Sequence, residues 1–318
     1  MPFEHNKLLY KTLSEATPLV LRDFGVMREK INYFLSNLDY FVTQLETISP
    51  KSASDSHGDD CDACVILKNI DMRYRHDIEV FRTHASGCKR LWLKISQPNQ
   101  INYADAEDFV SLSLTSRSMI ENSIRSCFLY MNLDIRIYNK YLIESLSSFS
   151  KLHWSTLPQS FDTKDVSGAI TGFESLSNKD RNNSSLYADP QPTFKGKVDY
   201  FRQLSKAPGF ADFFDDYERM YSAFSDVAHG GAAFLSASNR KGPQIVLACP
   251  PDLRFVASAH QLAEMIGVTL MMSQKTIVNF YLPVLIQTLE KIAGTDAMRA
   301  SLTKMHEQLA AKIVGHSF

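Results

Sequence analysis

SEATPLVLRDFGVMREKINYFLSNLDYFVTQLETI, residues 14–48, is the stretch on which the fold class turns. Leu19, Phe24, Met27, Ile31, Phe34, Leu35, Leu38, Phe41, Val42 and Leu45 recur at spacings of three and four. That period is one face of an α-helix, which Pro50 stops. The same rule, carried outward, predicts a helix over Cys64–Ile95 with a possible break at Gly87, and one over Ala104–Tyr130 capped by Asn102 or Asp105. A fourth covers Asp134–His153, with Leu142, Ile143, Leu146 and Phe149 on its apolar stripe. Lys195–Lys206 and Ala211–His229 follow, the latter ended by Gly230-Gly231 in the manner of a C-cap. A long helix runs over Asp252–Ile292, bent at Pro283, where the proline removes a backbone donor. Asp296–Val314 is the last. Two segments differ. Residues 51–60 are a polar loop, and 155–195 form a long connection with a short helix over Gly168–Leu176. AFLSAS and QIVLAC flank NRKGP, so a small β-hairpin is expected near residues 233–249. The expected fold is all-α: a helical bundle of about eight helices with that one hairpin. It divides into an N-terminal helical segment, 1–98, and a helical core, 99–318, or forms one continuous domain.

The 318 residues are 44% apolar and 22% charged, with 34 Lys+Arg against 35 Asp+Glu and a net charge of -1. These proportions exclude a disordered or low-complexity chain and give no global pull toward nucleic acid or anionic membrane. Glu4, His5 and Asn6 spoil a signal-peptide start. The apolar run Ile266–Met272 is far shorter than the roughly 20 residues a membrane span needs. A soluble, cytoplasmic protein with no membrane partner is therefore expected. Its five cysteines, an odd and sparse set, are expected to be reduced thiols. Cys61 and Cys64 form a C-x-x-C, with His57 before it and His84 and Cys88 after it. The zinc reading is set against two plain thiols at a helix start, and the expectation is no metal and no cofactor. The chain contains no phosphate-binding P-loop, dinucleotide fingerprint, H-E-x-x-H or G-x-S-x-G, which disfavours the common nucleotide-binding, zincin and hydrolase readings.

Two segments can carry chemistry. In Tyr217-Glu-Arg-Met-Tyr221-Ser-Ala-Phe-Ser225-Asp-Val-Ala-His229, the residues Tyr217, Tyr221, Ser225 and His229 are each four apart. They form one slowly drifting stripe of hydroxyls ending in an imidazole. A histidine at a helix C-terminus titrates near neutral pH; equally, the stripe can be an interface with its hydroxyls satisfied locally. In Ser116-Arg117-Ser118-Met119-Ile120-Glu121-Asn122-Ser123-Ile124-Arg125, the residues Arg117, Glu121 and Arg125 form a charged row. Leu114, Ile120, Ile124 and Phe128 mark this helix as largely buried. Such a row either pairs internally and fixes packing or presents Arg117 to an anion as a donor fork.

An R-S-x-x-E row on an early buried helix, followed by Y-x-x-x-S-x-x-x-H-G a hundred residues later, resembles the HEPN-like helical superfamily. The branch it is most similar to lies near the AbiV-type abortive-infection proteins, and the resemblance covers residues 100–235. Many HEPN proteins are metal-independent endoribonucleases acting as homodimers in antiviral defence or toxin systems. In them an Arg and a His, a few residues apart on one helix, assist attack of an RNA 2′-hydroxyl on its own phosphate. The resemblance implies that Arg117 is the family arginine, but Asn122 stands where the partner histidine is expected. His229 on another helix would have to complete the pair, with Arg117, Glu121, Tyr221 and Ser225 around it. Two other Arg–His spacings, Arg254 with His260 and Arg299 with His306, are as frequent as chance allows. Small basic spots at Phe194–Lys197 and Asn239–Gly242 are candidate phosphate contacts or solvated loops. The expectation is an RNA-cutting homodimeric effector; the alternative is a non-catalytic helical sensor, scaffold or small-anion binding module.

Overall fold

The computed structural model describes residues 25–48, 62–96, 106–153, 163–177, 193–204 and 251–313, with shorter pieces at 180, 186–188, 190–191, 214, 217–218, 220–222 and 224–225. Among the described residues all regular secondary structure is helical, in agreement with the all-α expectation. Helix α1 covers 25–46. It is followed by α2 (Asp62–Ile95), α3 (Ala106–Asn132), α4 (Ile135–His153), α5 (Thr163–Ser175) and α6 (Phe194–Leu204). Then come α7 (Pro251–Thr276), a π turn (Ile277–Tyr281), α8 (Leu282–Leu289) and α9 (Asp296–Ile313). The hairpin expected at 233–249, the 51–60 loop and the Asn102/Asp105 cap lie outside the described residues. Among these no helix is long and apolar enough to cross a membrane.

The 34 residues of α2 give a rod of roughly 50 Å, unbroken at Gly87, where a Cβ would meet nothing within 4 Å. The glycine is therefore exempt from any packing demand, and the helix runs through it. The α2 stripe Leu67, Ile70, Tyr74, Ile78, Phe81, Ala85, Cys88, Leu91, Trp92 and Ile95 is buried along its whole length. Helix α3 packs along it. One apolar core extends from Met27 to Leu309 and takes side chains from α1, α2, α3, the start of α4, α6, α7, the π turn, α8 and α9. The face of α1 predicted from periodicity is the buried one: Ile31, Leu38, Phe41 and Leu45 have no exposure. Polar tethers hold α1 down at both ends. The Tyr33 hydroxyl donates to the Lys312 carbonyl at 2.8 Å and the Tyr74 hydroxyl to that of Leu45 at 2.7 Å. A smaller cluster of Ile143, Ile170 and Phe173 joins α4 to α5.

The bend expected at Pro283 takes a specific form. Leu282 N–H donates to the Ile277 carbonyl five residues back, and Pro283 sits in the first turn of α8. A proline lacks the N–H that would continue the α-helical ladder; the wider π register absorbs this with one extra residue. His306 of α9 approaches the Val278 carbonyl through Nε2 at 2.9 Å. The extra residue turns both Phe280 and Tyr281 into the core, and Tyr281 has a polar task there.

Between α3 and α4 the chain reverses through Leu133, whose φ is 46°. This left-handed conformation is uncommon for a leucine. Asp134 then caps α4, its Oδ1 accepting from Arg136 N–H at 2.9 Å, as an N-cap aspartate does.

His84 and Cys88 sit one turn apart on the core face of α2, both fully buried. Burial pushes the His84 imidazole down to about 4, the Thr269 backbone opposing it in part. A histidine whose folded-state pKa lies below its unfolded value contributes stability that is complete above the unfolded pKa and is lost as pH falls toward the folded one. Between pH 7 and pH 5 the unfolded chain takes up the proton and the folded protein does not. Urea unfolding is expected to show a loss of about 2 kcal/mol over that interval from this residue. The same interval in His84→Leu lacks that component; an equal slope in both proteins would show that His84 is not its source.

Candidate functional site

Helix α3 presents two polar rows. The row Arg117, Glu121, Arg125 meets Tyr221 through its first two members, and the row Asn122, Ser126, Tyr130 meets α2. Adjacent residues are about 100° apart around a helix, so a single helix serves both partners.

The first row is the predicted one, and three of the predicted site residues, Arg117, Glu121 and Tyr221, come together. Arg117 Nε donates to Glu121 Oε1 at 3.0 Å, the Tyr221 hydroxyl donates to the same oxygen at 2.7 Å, and Arg117 Nη2 reaches the Tyr221 hydroxyl at 3.4 Å. The guanidinium carbon stands 5.4 Å from the centre of the Tyr221 ring. Phe194, the first residue of α6, stacks on that ring with centroids 4.1 Å apart. Arg117 and Glu121 keep 24% and 23% of their side-chain surface, so the cluster has a wet edge. Arg125 lies 3.8 Å from Glu121 Oε2. Burial works against the Arg117 charge, but the Glu121 and Tyr221 contacts outweigh it and hold the guanidinium protonated. Burial, then Glu121, raises the Tyr221 phenol, which therefore stays a donor at neutral pH.

Tyr217, one turn earlier, is fully buried and donates to the Ile120 carbonyl at 2.9 Å. The hydroxyl stripe thus faces α3 at both described tyrosines. Ser225 is half-buried and makes no hydrogen bond to Arg117, Glu121 or Tyr221. His229 lies outside the described residues. Leu114, expected to be buried, is 49% exposed: α3 is covered along two faces, and its third is open to water.

The second row was not legible as a site. Asp77 of α2 is 1% exposed. Its Oδ1 accepts from Asn122 Nδ2 at 2.7 Å and the Ser126 hydroxyl at 2.6 Å; its Oδ2 accepts from the hydroxyls of Tyr130 at 2.7 Å and Tyr281 at 2.8 Å. Arg73 Nε lies 3.4 Å from Oδ1 and donates to the Ser126 oxygen at 2.6 Å, while Nη2 donates to Asn122 Oδ1. Burial and the Asp77 charge push the Tyr130 and Tyr281 phenols well up, so both remain donors. Asn122, where the resemblance expects a histidine, is committed here, its amide bridging Asp77 and Arg73. The signal was available: Asp77 and His84 stand at core positions of the α2 stripe, and Asn122, Ser126 and Tyr130 are four apart.

The remaining candidates separate. Arg299 pairs with Asp296 at 3.0 Å and Glu290 at 3.8 Å, while His306 turns to Val278. His260 lies 3.8 Å from Glu264; the Arg254 side chain is outside the described residues. Lys197, offered as a phosphate contact, is buried against the Phe128 and Tyr141 rings at 5.0 and 5.5 Å. Cys61, His57 and Asn239–Gly242 lie outside the described residues, as does the Cys64 side chain. Cys88 Sγ is 3.7 Å from His84 Nε2 in the core, and burial pushes its thiol up to about 12. Among the described residues no three His, Cys, Asp or Glu gather as metal ligands. No family model, no curated protein and no solved structure matches the chain.

Proposed function

We propose that the chain is a HEPN-like helical effector that acts on RNA in antiviral defence or a toxin system, as a metal-independent endoribonuclease in the cytoplasm. The observation that supports this is the convergence of Arg117, Glu121 and Tyr221 from segments a hundred residues apart at a half-exposed edge. In this reading an RNA 2′-oxygen attacks the adjacent phosphorus and the P–O5′ bond breaks. The 2′-hydroxyl proton passes to a base, and the 5′-oxygen takes one up. Arg117 stabilises the charge that develops on phosphate. His229, eight residues beyond Tyr221 and four beyond Ser225 in the sequence, handles the proton. The Tyr221–Phe194 pair offers a base an aromatic neighbour. The working unit is a homodimer.

A specific observation favours a second reading. Glu121 Oε1 accepts from both Arg117 and Tyr221, closing a triangle that clamps the 214–225 segment to α3. A clamp of that kind suits a non-catalytic sensor, scaffold or small-anion binding module.

One experiment separates the two. Purified protein is incubated with end-labelled single-stranded RNA in excess EDTA, and each variant is also melted. The first reading expects cleavage by a species of twice the chain mass. It expects Arg117→Ala and His229→Ala each to lower the rate by about a hundredfold or more with folding intact. Unchanged cleavage in both variants removes this site. If the wild type does not cleave and Arg117→Ala chiefly lowers the melting temperature, the clamp is the better account.

A further inference from the structure

Helices α2, α3 and α4 line an open cavity of about 310 Å³, at the small end of the range for ligand pockets. The left-handed corner at Leu133 brings α4 back so that Tyr138, Tyr141 and Leu142 face Arg73 and His76 of α2, with Leu129 of α3 as the floor. Met72 and Leu142, at 53% and 44% exposure, stand at its mouth. Its wall is therefore mostly hydrocarbon and aromatic surface, with the Asn69 amide and two basic groups, Arg73 and His76, along one helix.

The first of these basic groups is held in place. Arg73 is fixed on one edge by Ser126, Asn122 and Asp77, and 20% of its side chain stays exposed. Among the described residues its Nη1 makes no hydrogen bond. Asp77 does not need that nitrogen, because four neutral donors already satisfy both of its oxygens. The guanidinium thus turns a preorganised donor edge toward an apolar space, the arrangement that receives a carboxylate. His76 is exposed along the cavity rim; partial desolvation, then the Arg73 charge, holds its imidazole below the usual range, against Asp77 and Asn122. It remains neutral near pH 7 and can donate one hydrogen bond.

We propose that this cavity binds an amphipathic monocarboxylate, its head on Arg73 and His76 and its hydrocarbon body against Leu129, Tyr138, Tyr141 and Leu142. The site is separate from the Arg117 cluster and does not depend on the RNA reading. A body of about ten carbons suits a cavity of this class, so decanoate is the probe.

Calorimetric titration of the full chain with monomeric decanoate is expected to give saturable one-site binding. Decanamide, which keeps the body and loses the charge, is expected to bind at least about tenfold more weakly. Acetate, which keeps only the head, gives no measurable heat. Leu142→Trp fills the mouth without touching the buried network and is expected to abolish binding at unchanged melting temperature. Arg73→Lys keeps a charge but loses the fork, and should weaken decanoate by about tenfold. Binding of decanamide as tight as decanoate, full affinity in Leu142→Trp, or capture only by oleate-containing vesicles with no uptake of free decanoate would each overturn the proposal.

Discussion

Asp77→Ala is expected to cost about 3–5 kcal/mol of folding stability, the range seen when one partner of a buried ion pair is removed. The substitution deletes few atoms, so lost packing is a minor part. What matters is the set left behind: the Asn122 amide, the Ser126, Tyr130 and Tyr281 hydroxyls and the Arg73 guanidinium all point at one carboxylate. Each buried donor stripped of its acceptor keeps the penalty of having left water. The melting temperature should fall by about 5–10 °C in a chain of this size. Asp77→Asn keeps the volume and one accepting oxygen, but turns an NH₂ toward hydroxyls that need an acceptor, so an intermediate loss is expected. Arg73→Ala combined with Asp77→Ala should cost less than the two single losses added, because the second removal no longer orphans a charge. Denaturant midpoints of the four proteins check this. A loss below about 1 kcal/mol for Asp77→Ala would mean that the five donors find water or each other, and that the network does not fix α2 against α3.

The helices were legible because their apolar positions repeat with the helical period. The α3, α4, α6 and α9 boundaries fall within two residues of the periodic pattern, and the buried face of α1 is the one its spacing marks. The first polar row was legible for a related reason: Arg117 and Glu121 are i,i+4 neighbours, and Tyr217 and Tyr221 share a face. What spacing could not supply is which helix each row meets. That depends on the crossing of α3 with α2 and with the 214–225 residues, a property of side chains far apart in the chain. Asp77 shows the limit most plainly. Its isolated appearance in a stripe of Leu, Ile, Tyr and Phe marks a core carboxylate, yet two of its donors, Tyr130 and Tyr281, come from positions 53 and 204 residues away. The π turn was hidden for a different reason. Pro283 announces a broken ladder, but whether the helix kinks or widens is settled by how Phe280 and Tyr281 fill the core.

Phe280→Ala should be the second severe substitution, and its effect should reach the Arg117 cluster. Phe280 is fully buried in the π turn and packs edge-on against Phe201 at 4.9 Å and Phe214 at 5.2 Å. Those two rings stack on each other at 6.0 Å, and Phe214 leans on Tyr217 at 6.2 Å. Removing a buried phenyl costs about 3–5 kcal/mol, the transfer loss plus the cavity that the neighbours fail to fill. Here the neighbours are the rings that seat α6 and the 214–225 residues, so the cavity opens behind Tyr217 and, one turn on, Tyr221. The Tyr217 hydrogen bond to Ile120 and the Tyr221 contact with Arg117 lose the wall that presses them onto α3. Amide exchange measured well below the melting transition should therefore quicken around residues 214–225 and at α6 before it quickens in α1. Leu38→Ala, a fully buried truncation in α1, serves as the control: it should cost about 2–5 kcal/mol while leaving exchange at 214–225 unchanged. If both variants loosen the chain evenly, the aromatic wall is ordinary core and the position of Tyr221 depends on its contacts with α3 and with Phe194. If only Phe280→Ala frees 214–225, the aromatic wall that the π turn carries into the core through Phe280 is what holds the candidate site together.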